Sequence, residues 1–153
     1  MGKVWGPSGR PVPRLLASLP CEDAALSQGV ADGRVSLQRV FFDLYADRFP
    51  AGFDRMTVAN FWTGGEGTYR VAVRLMGPDG EEVARGEADL AFPEGAVTAV
   101  QLVYFPGLAL PGPGTYTVEV LLDGAAVHAY TLVVVGSEEE QEQTQPEPVQ
   151  EDG

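Results

Sequence analysis

Two runs of alternating side chains flank Asp123-Gly124 in the stretch PGPGTYTVEVLLDGAAVHAYTLVVV, residues 111–135. A strand sends successive side chains to opposite faces. Asp-Gly is a preferred pair for a two-residue type I′ turn, because both central residues need positive φ. The stretch therefore predicts a β-hairpin. Folding it about that turn puts Tyr116, Val118, Val120 and Leu122 with Ala125, Val127, Ala129 and Thr131 on an inner face. The outer face receives Thr115, Thr117, Glu119 and Leu121 with Ala126, His128, Tyr130 and Leu132, and Glu119 then faces His128.

A second hairpin is predicted over residues 68–92, turning at Asp79-Gly80. It pairs Tyr69 with Leu90, Val71 with Ala88, Val73 with Gly86 and Leu75 with Ala84 on an apolar face. Its other face pairs Arg70 with Asp89, Ala72 with Glu87 and Met76 with Val83, and sets Arg74 against Arg85. Apolar and charged side chains separate cleanly only in this register. The two hairpins echo each other: Gly67-Thr68-Tyr69-x-Val71-x-Val73-x-Leu75 matches Gly114-Thr115-Tyr116-x-Val118-x-Val120-x-Leu122.

The rest of the chain supports the same class. Strands are predicted at 14–26, interrupted at Pro20, and at 34–46, where a slip in alternation near Val40–Phe42 implies a bulge or a strand buried on both sides. Others are predicted at 53–63, with Met56, Val58, Asn60 and Trp62 on one side, and at 97–105. Trp62 is expected in the core, and Trp5 to pack back onto the domain. Residues 28–33 predict a turn, and 106–114 a corner without regular structure. Glycine and proline together make up about a fifth of the chain, which suits a fold of many tight turns. The predicted organisation is a flexible arm over 1–13, one all-β antiparallel sandwich of about 7–9 strands over 14–136, and a disordered acidic tail over 137–153.

In immunoglobulin-like domains a Gly-x-Tyr opens the penultimate strand, two residues before a core position. Gly114-x-Tyr116-x-Val118 resembles that tyrosine corner. Cys21-Glu22-Asp23, Gly33-Arg34-Val35-Ser36-Leu37, Phe49-Pro50, Gly65-Glu66-Gly67, Pro78-Asp79-Gly80 and Phe105-Pro106 extend the likeness. Through about residues 20–135 the chain resembles an uncharacterised bacterial family of short immunoglobulin-like sandwiches. The resemblance rests on turn and core residues, so it implies the immunoglobulin-like fold and no activity.

Charge and reactive side chains narrow the function classes. The net charge is −12, and residues 137–153 hold seven acids and no base. An acidic chain with a more acidic tail repels phosphate backbones, so nucleic-acid partners are not expected. No apolar run approaches a membrane span, and no signal-peptide core is present, so the expectation is a cytoplasmic protein without membrane partners. Cys21 is the single cysteine and His128 the single histidine. They supply neither a zinc set nor a nucleophile motif, so no catalytic residue, metal or cofactor is expected.

What remains is a surface. Leu121, Tyr130, Leu132 and Val134, with His128 among them, fall on the predicted outer face of the last hairpin, which is too apolar for a free face. Either a neighbouring strand, a loop or the arm covers it, or it contacts a protein partner or a second copy. The expected function is a non-enzymatic protein-interaction module. The alternative is a small-ligand or carbohydrate-binding sandwich using Trp5, Trp62 and Phe61.

Overall fold

A computed structural model describes residues 4–6, 9–26 and 34–136. The predicted turn at 28–33 and the acidic tail lie outside the described residues. The described chain is all strand and connection: β1 (Val4–Trp5), β2 (Pro11–Val12), β3 (Arg14–Leu26), β4 (Val35–Val40), β5 (Asp43–Ala46), β6 (Ala51–Thr63), β7 (Gly67–Met76), β8 (Glu82–Phe92), β9 (Thr98–Leu110), β10 (Gly114–Leu122) and β11 (Ala125–Gly136). β1 and β2 form a short ribbon. The others form a five-stranded sheet in the order β5-β11-β10-β7-β8 and a four-stranded sheet in the order β4-β3-β6-β9. All neighbours run antiparallel except β5 beside β11. No helix among the described residues is long and apolar enough to cross a membrane.

The two sheets enclose one core in a sandwich-like arrangement. Trp62, Met56, Val58 and Val103 of the smaller sheet meet Tyr116, Leu75, Val118 and Leu132 of the larger one, all within 1% of full burial. Each such side chain contributes roughly 1.5–3 kcal/mol by leaving water. Gly86 lets β8 approach β9 along one side, where a Cβ would come within 2.6 Å of the Val103 side chain.

The echoed segments become the adjacent strands β7 and β10 of the larger sheet. Their tyrosines act alike. The Tyr116 hydroxyl donates to the Gly112 carbonyl at 2.6 Å, and the Tyr69 hydroxyl donates to the Pro11 carbonyl at 2.7 Å. Arg10 lies over the Tyr69 ring, 4.1 Å from its centroid, and its guanidinium donates to the Thr68 carbonyl at 2.8 Å. Residues 10–12 of the arm are thus tied to the sandwich, whereas Trp5 is 61% exposed, contrary to the expected packing.

Several expectations are corrected. The predicted strand at 34–46 is two strands, and the chain crosses from one sheet to the other between Val40 and Asp43. β9 continues through Pro106 to Leu110, where a corner was expected. It lies at the end of its sheet's strand order, the position where a strand tolerates proline. Asp79-Gly80 is not a type I′ turn: Gly80 donates to the Gly77 carbonyl at 2.9 Å, and Gly80 (φ 87°), not Asp79, has positive φ. Pro78 fits the first central position of the wider loop, whose glycine forms the bulge. Met76 consequently faces Glu82 rather than Val83.

The largest correction concerns the last hairpin. Asp123 (φ 48°) and Gly124 (φ 90°) make the expected turn, and Leu122 faces Ala125. One step later β11 bulges: Leu121 faces Ala126, but Val120 faces His128. Val127 is the extra residue. A one-residue bulge moves every later side chain to the other face, so Tyr116 faces Leu132 and Val118 faces Tyr130. Deleting Val127 should restore the simple register, turn Leu132 and Val134 out of the core, and cost more than about 4 kcal/mol. Val127→Thr, at a position 45% exposed, should change stability by less than about 0.5 kcal/mol. Urea unfolding checks both, and a deletion variant of ordinary stability would refute the bulged register.

Candidate functional site

The bulge disperses the predicted contact surface. Leu132 and Val134 are core residues, 0% and 2% exposed, not surface ones. Leu121 stays on the outer face, half-buried beside Ala126. His128 is exposed and shares the inward-facing side of its strand with Tyr130, their rings 5.6 Å apart. Glu119 faces Ala129 and points outward, so the predicted Glu119–His128 pair does not form. Tyr130 sits at the margin of the sandwich, where Phe42 meets its ring edge-on at 5.9 Å. Its hydroxyl shares a hydrogen bond of 3.1 Å with Ser18 Oγ of the opposite sheet. Burial pushes its pKa up to about 12, against the opposing effect of the Ser18 bond.

Ser18 belongs to a buried polar row that the apolar alternation did not reveal. β3 and β6 set Ser18 opposite Asn60, and β6 and β9 set Asn60 opposite Gln101. Asn60 Nδ2 donates to Gln101 Oε1 at 3.1 Å, and Gln101 Nε2 donates to the Ala88 carbonyl of the other sheet at 2.9 Å. The visible signal was a single polar residue on the inner side of each strand. These groups tie the sheets together by hydrogen bonds.

The outer faces of the two sheets differ in kind. On the larger sheet, Arg70 binds Glu87 at 3.0 Å and Asp89 at 2.9 Å. Arg74 binds Glu119 and Glu82, and Arg85 binds Glu82 at 3.1 Å and Glu87 at 3.7 Å. The head-on Arg74–Arg85 contact expected from the sequence is present, and the shared carboxylate of Glu82 bridges it. Asp89, then Glu87, raise the pKa of Arg70, while Arg85 lowers that of Glu82. These exposed pairs satisfy one another and add little stability.

On the smaller sheet, three cross-strand rows face outward: Ala17–Phe61–Val100, Leu19–Ala59–Leu102 and Cys21–Thr57–Tyr104. None of the nine carries a charge. Tyr104 is 48% exposed, and Val40, opposite Cys21 on β4, is 44% exposed. Three strands at about 4.8 Å spacing and five residues at about 3.3 Å rise give these rows roughly 240 Å² of projected area. Cys21, Thr57 and Ala59 are buried within these rows by their neighbours, and burial raises the pKa of the Cys21 thiol, which donates to the Asp23 carbonyl. A thiol held protonated is a poor nucleophile. Trp62 faces the core and is fully buried, so it offers no platform to a sugar ring. Among the described residues no group of three or more His, Cys, Asp or Glu side chains is placed to hold a metal ion.

A model of the DUF6941 family, a family of unknown function, matches residues 16–135, and the chain belongs to that family. No curated protein matches it. Among solved structures it is similar to the Pseudomonas fluorescens alkylpurine DNA glycosylase AlkC bound to DNA containing an abasic site analog. The identity is 16% and the TM-score 0.40, over 62% of this chain and 28% of that one. The chain thus spans little more than a quarter of that protein's length, and a likeness at this level carries no argument.

Tyr130 makes the cross-sheet contact titratable. Its pKa is higher in the folded protein, so the folded state keeps the proton after the unfolded chain has lost it. The stabilisation is complete below pH 10 and is lost as pH rises toward 12. The loss should amount to about 2–3 kcal/mol across that window. Tyr130→Phe should flatten the fall, as read from urea midpoints of both proteins at pH 9 to 12. An equal fall in both would show that Tyr130 is not its source.

Proposed function

We propose that this member of DUF6941 is a non-enzymatic, cytoplasmic protein-interaction module of immunoglobulin-like fold, with the uncharged outer face of its four-stranded sheet as contact surface. The observation that carries the reading is the contrast between the two outer faces. One is a solvated lattice of paired charges. The other faces outward with three uncharged rows, in which Tyr104 is exposed, Ala17, Leu19, Phe61, Val100 and Leu102 are half-buried, and Cys21, Thr57 and Ala59 are buried among them. A free sheet face ordinarily alternates toward polar side chains, and an apolar patch rimmed by polar residues marks an interaction site.

The immunoglobulin-like assignment draws support from strand order. With β6 as strand B, β7 becomes C, β8 C′, β9 E, β10 F and β11 G, and β5 lies beside G. Tyr116 makes the hydrogen bond of a tyrosine corner at the start of F. On this reading β4 takes the place of strand A, and β3 is an added strand inserted between it and strand B. The non-enzymatic reading is supported by the separation of Glu119 from His128 and by the buried thiol of Cys21.

Leu102→Lys and Tyr104→Lys place charge on the face without touching the core. Both should leave the unfolding midpoint within about 0.5 kcal/mol of wild type. A protein retained by the wild type in affinity capture from native lysate should be lost by both variants. If wild type associates with itself instead, light scattering should show the variants as monomers. Identical behaviour of wild type and variants in both measurements would remove the face as the contact surface.

A further inference from the structure

β6 pairs with β9 from Ala51↔Leu110 to Thr63↔Thr98. On its other side it pairs with β3 only from Thr57 onward, because β3 turns to β4 at Cys21. Over residues 51–56, therefore, β6 has a strand edge with no ladder partner among the described residues. β5 likewise ends the strand order of the other sheet. Where β3 leaves β6, a cleft of about 480 Å³ opens. Phe41, Leu44, Met56 and Leu108 supply its apolar side and belong to or pack against the core. Gly52, Phe53, Asp54 and Arg55 bring the unpaired edge of β6 to its wall.

Charge selects what this edge accepts. Glu22 and Asp23 line the cleft with Asp54. Glu22 already holds Arg39 at 3.2 Å, and Asp23 holds Arg55 at 3.3 Å. Asp54 is exposed and has no ion pair or hydrogen bond among the described residues. One carboxylate therefore stands uncompensated at an open strand edge. The chain's own tail, with seven acids and no base, is repelled from it, as is a second copy of an acidic chain.

We propose that this cleft receives an extended basic segment of a partner protein, which adds to β6 as a strand. Backbone groups of the segment bond to the edge over residues 51–56. One of its apolar side chains enters the pocket over Met56 and Leu108, and a lysine or arginine meets Asp54. In such strand addition the main-chain bonds supply affinity, and pockets for alternate side chains supply selectivity. The proposal concerns a different surface from the outer face and stands without it.

The test uses the full chain and a fluorescein-labelled decapeptide of alternating valine and lysine, followed by anisotropy. Three comparison peptides accompany it: a valine–glutamate counterpart, and two valine–lysine peptides N-methylated on either alternate set of amides. The valine–lysine peptide should bind and shift the amide resonances of residues 51–56. Asp54→Asn should weaken it about threefold and Asp54→Lys at least tenfold, with unchanged circular dichroism. The glutamate peptide should bind at least tenfold more weakly, and methylation of only one alternate set should abolish binding. No binding of the valine–lysine peptide would overturn the proposal. So would equal binding of the glutamate peptide, equal tolerance of both methylation patterns, or shifts confined to Leu102 and Tyr104.

Discussion

The arrangement of this protein depends on a constraint with only two settings: a strand's side chains point to one face or to the other. In the last hairpin the setting is decided by one residue. The turn at Asp123-Gly124 starts β10 and β11 in the simple register, and the bulge at Val127 changes it. Downstream, Leu132 and Val134 face the core, and Val133, opposite Thr115, takes the outer side. The same shift aims Tyr130 at Ser18 across the sandwich and removes His128 from Glu119. Core, cross-sheet hydrogen bond and outer face all follow from it.

With the last strand turned inward, the chemistry of the outer faces separates. Four acids and three arginines cover the larger sheet and neutralise one another through shared carboxylates. The smaller sheet faces outward with alanine, valine, leucine, phenylalanine, threonine and tyrosine. Those side chains do not require a partner in order to fold, because the core lies on the other side of the sheet. Their retention on an outward face is what supports the proposed contact role of that face.

β3 gives the smaller sheet its second property. It covers the carboxyl-terminal half of β6 and then leaves it for β4. While it accompanies β6 it supplies Ser18 to the buried polar row, which reaches the opposite sheet through Gln101 and Ala88. Where it departs, an edge and an apolar cleft remain. An exposed edge invites pairing with another chain unless it is managed, and the charged pair Asp54-Arg55 lies along this one. Charge along an edge disfavours indiscriminate pairing, and the basic segment proposed for this cleft is of complementary sign.

Much of the fold was legible because period-two alternation and turn residues act locally. The all-β class, the two hairpins, the pairing of Tyr69 with Leu90 through Leu75 with Ala84, and the inward side of Met56, Val58, Asn60 and Trp62 all rest on neighbours in sequence. Pro78 also carried, unread, the wider turn at Gly77–Gly80, since proline suits the first central position of a type I turn. The contact surface was misplaced for the converse reason. An apolar outer face at Leu132 and Val134 was itself the sign of a bulge, but alternation alone is equally satisfied by either register. The sequence by itself determined the all-β class, the position of both hairpins, and the shared faces of β6, β7 and β8 up to Leu75 and Ala84. Tertiary structure alone decided which of the two faces of β11 met the core, that β3 lies between β4 and β6, and that three uncharged rows face outward together. Those outcomes depend on packing between strands far apart in the chain, and a local pattern carries no information about its distant partner.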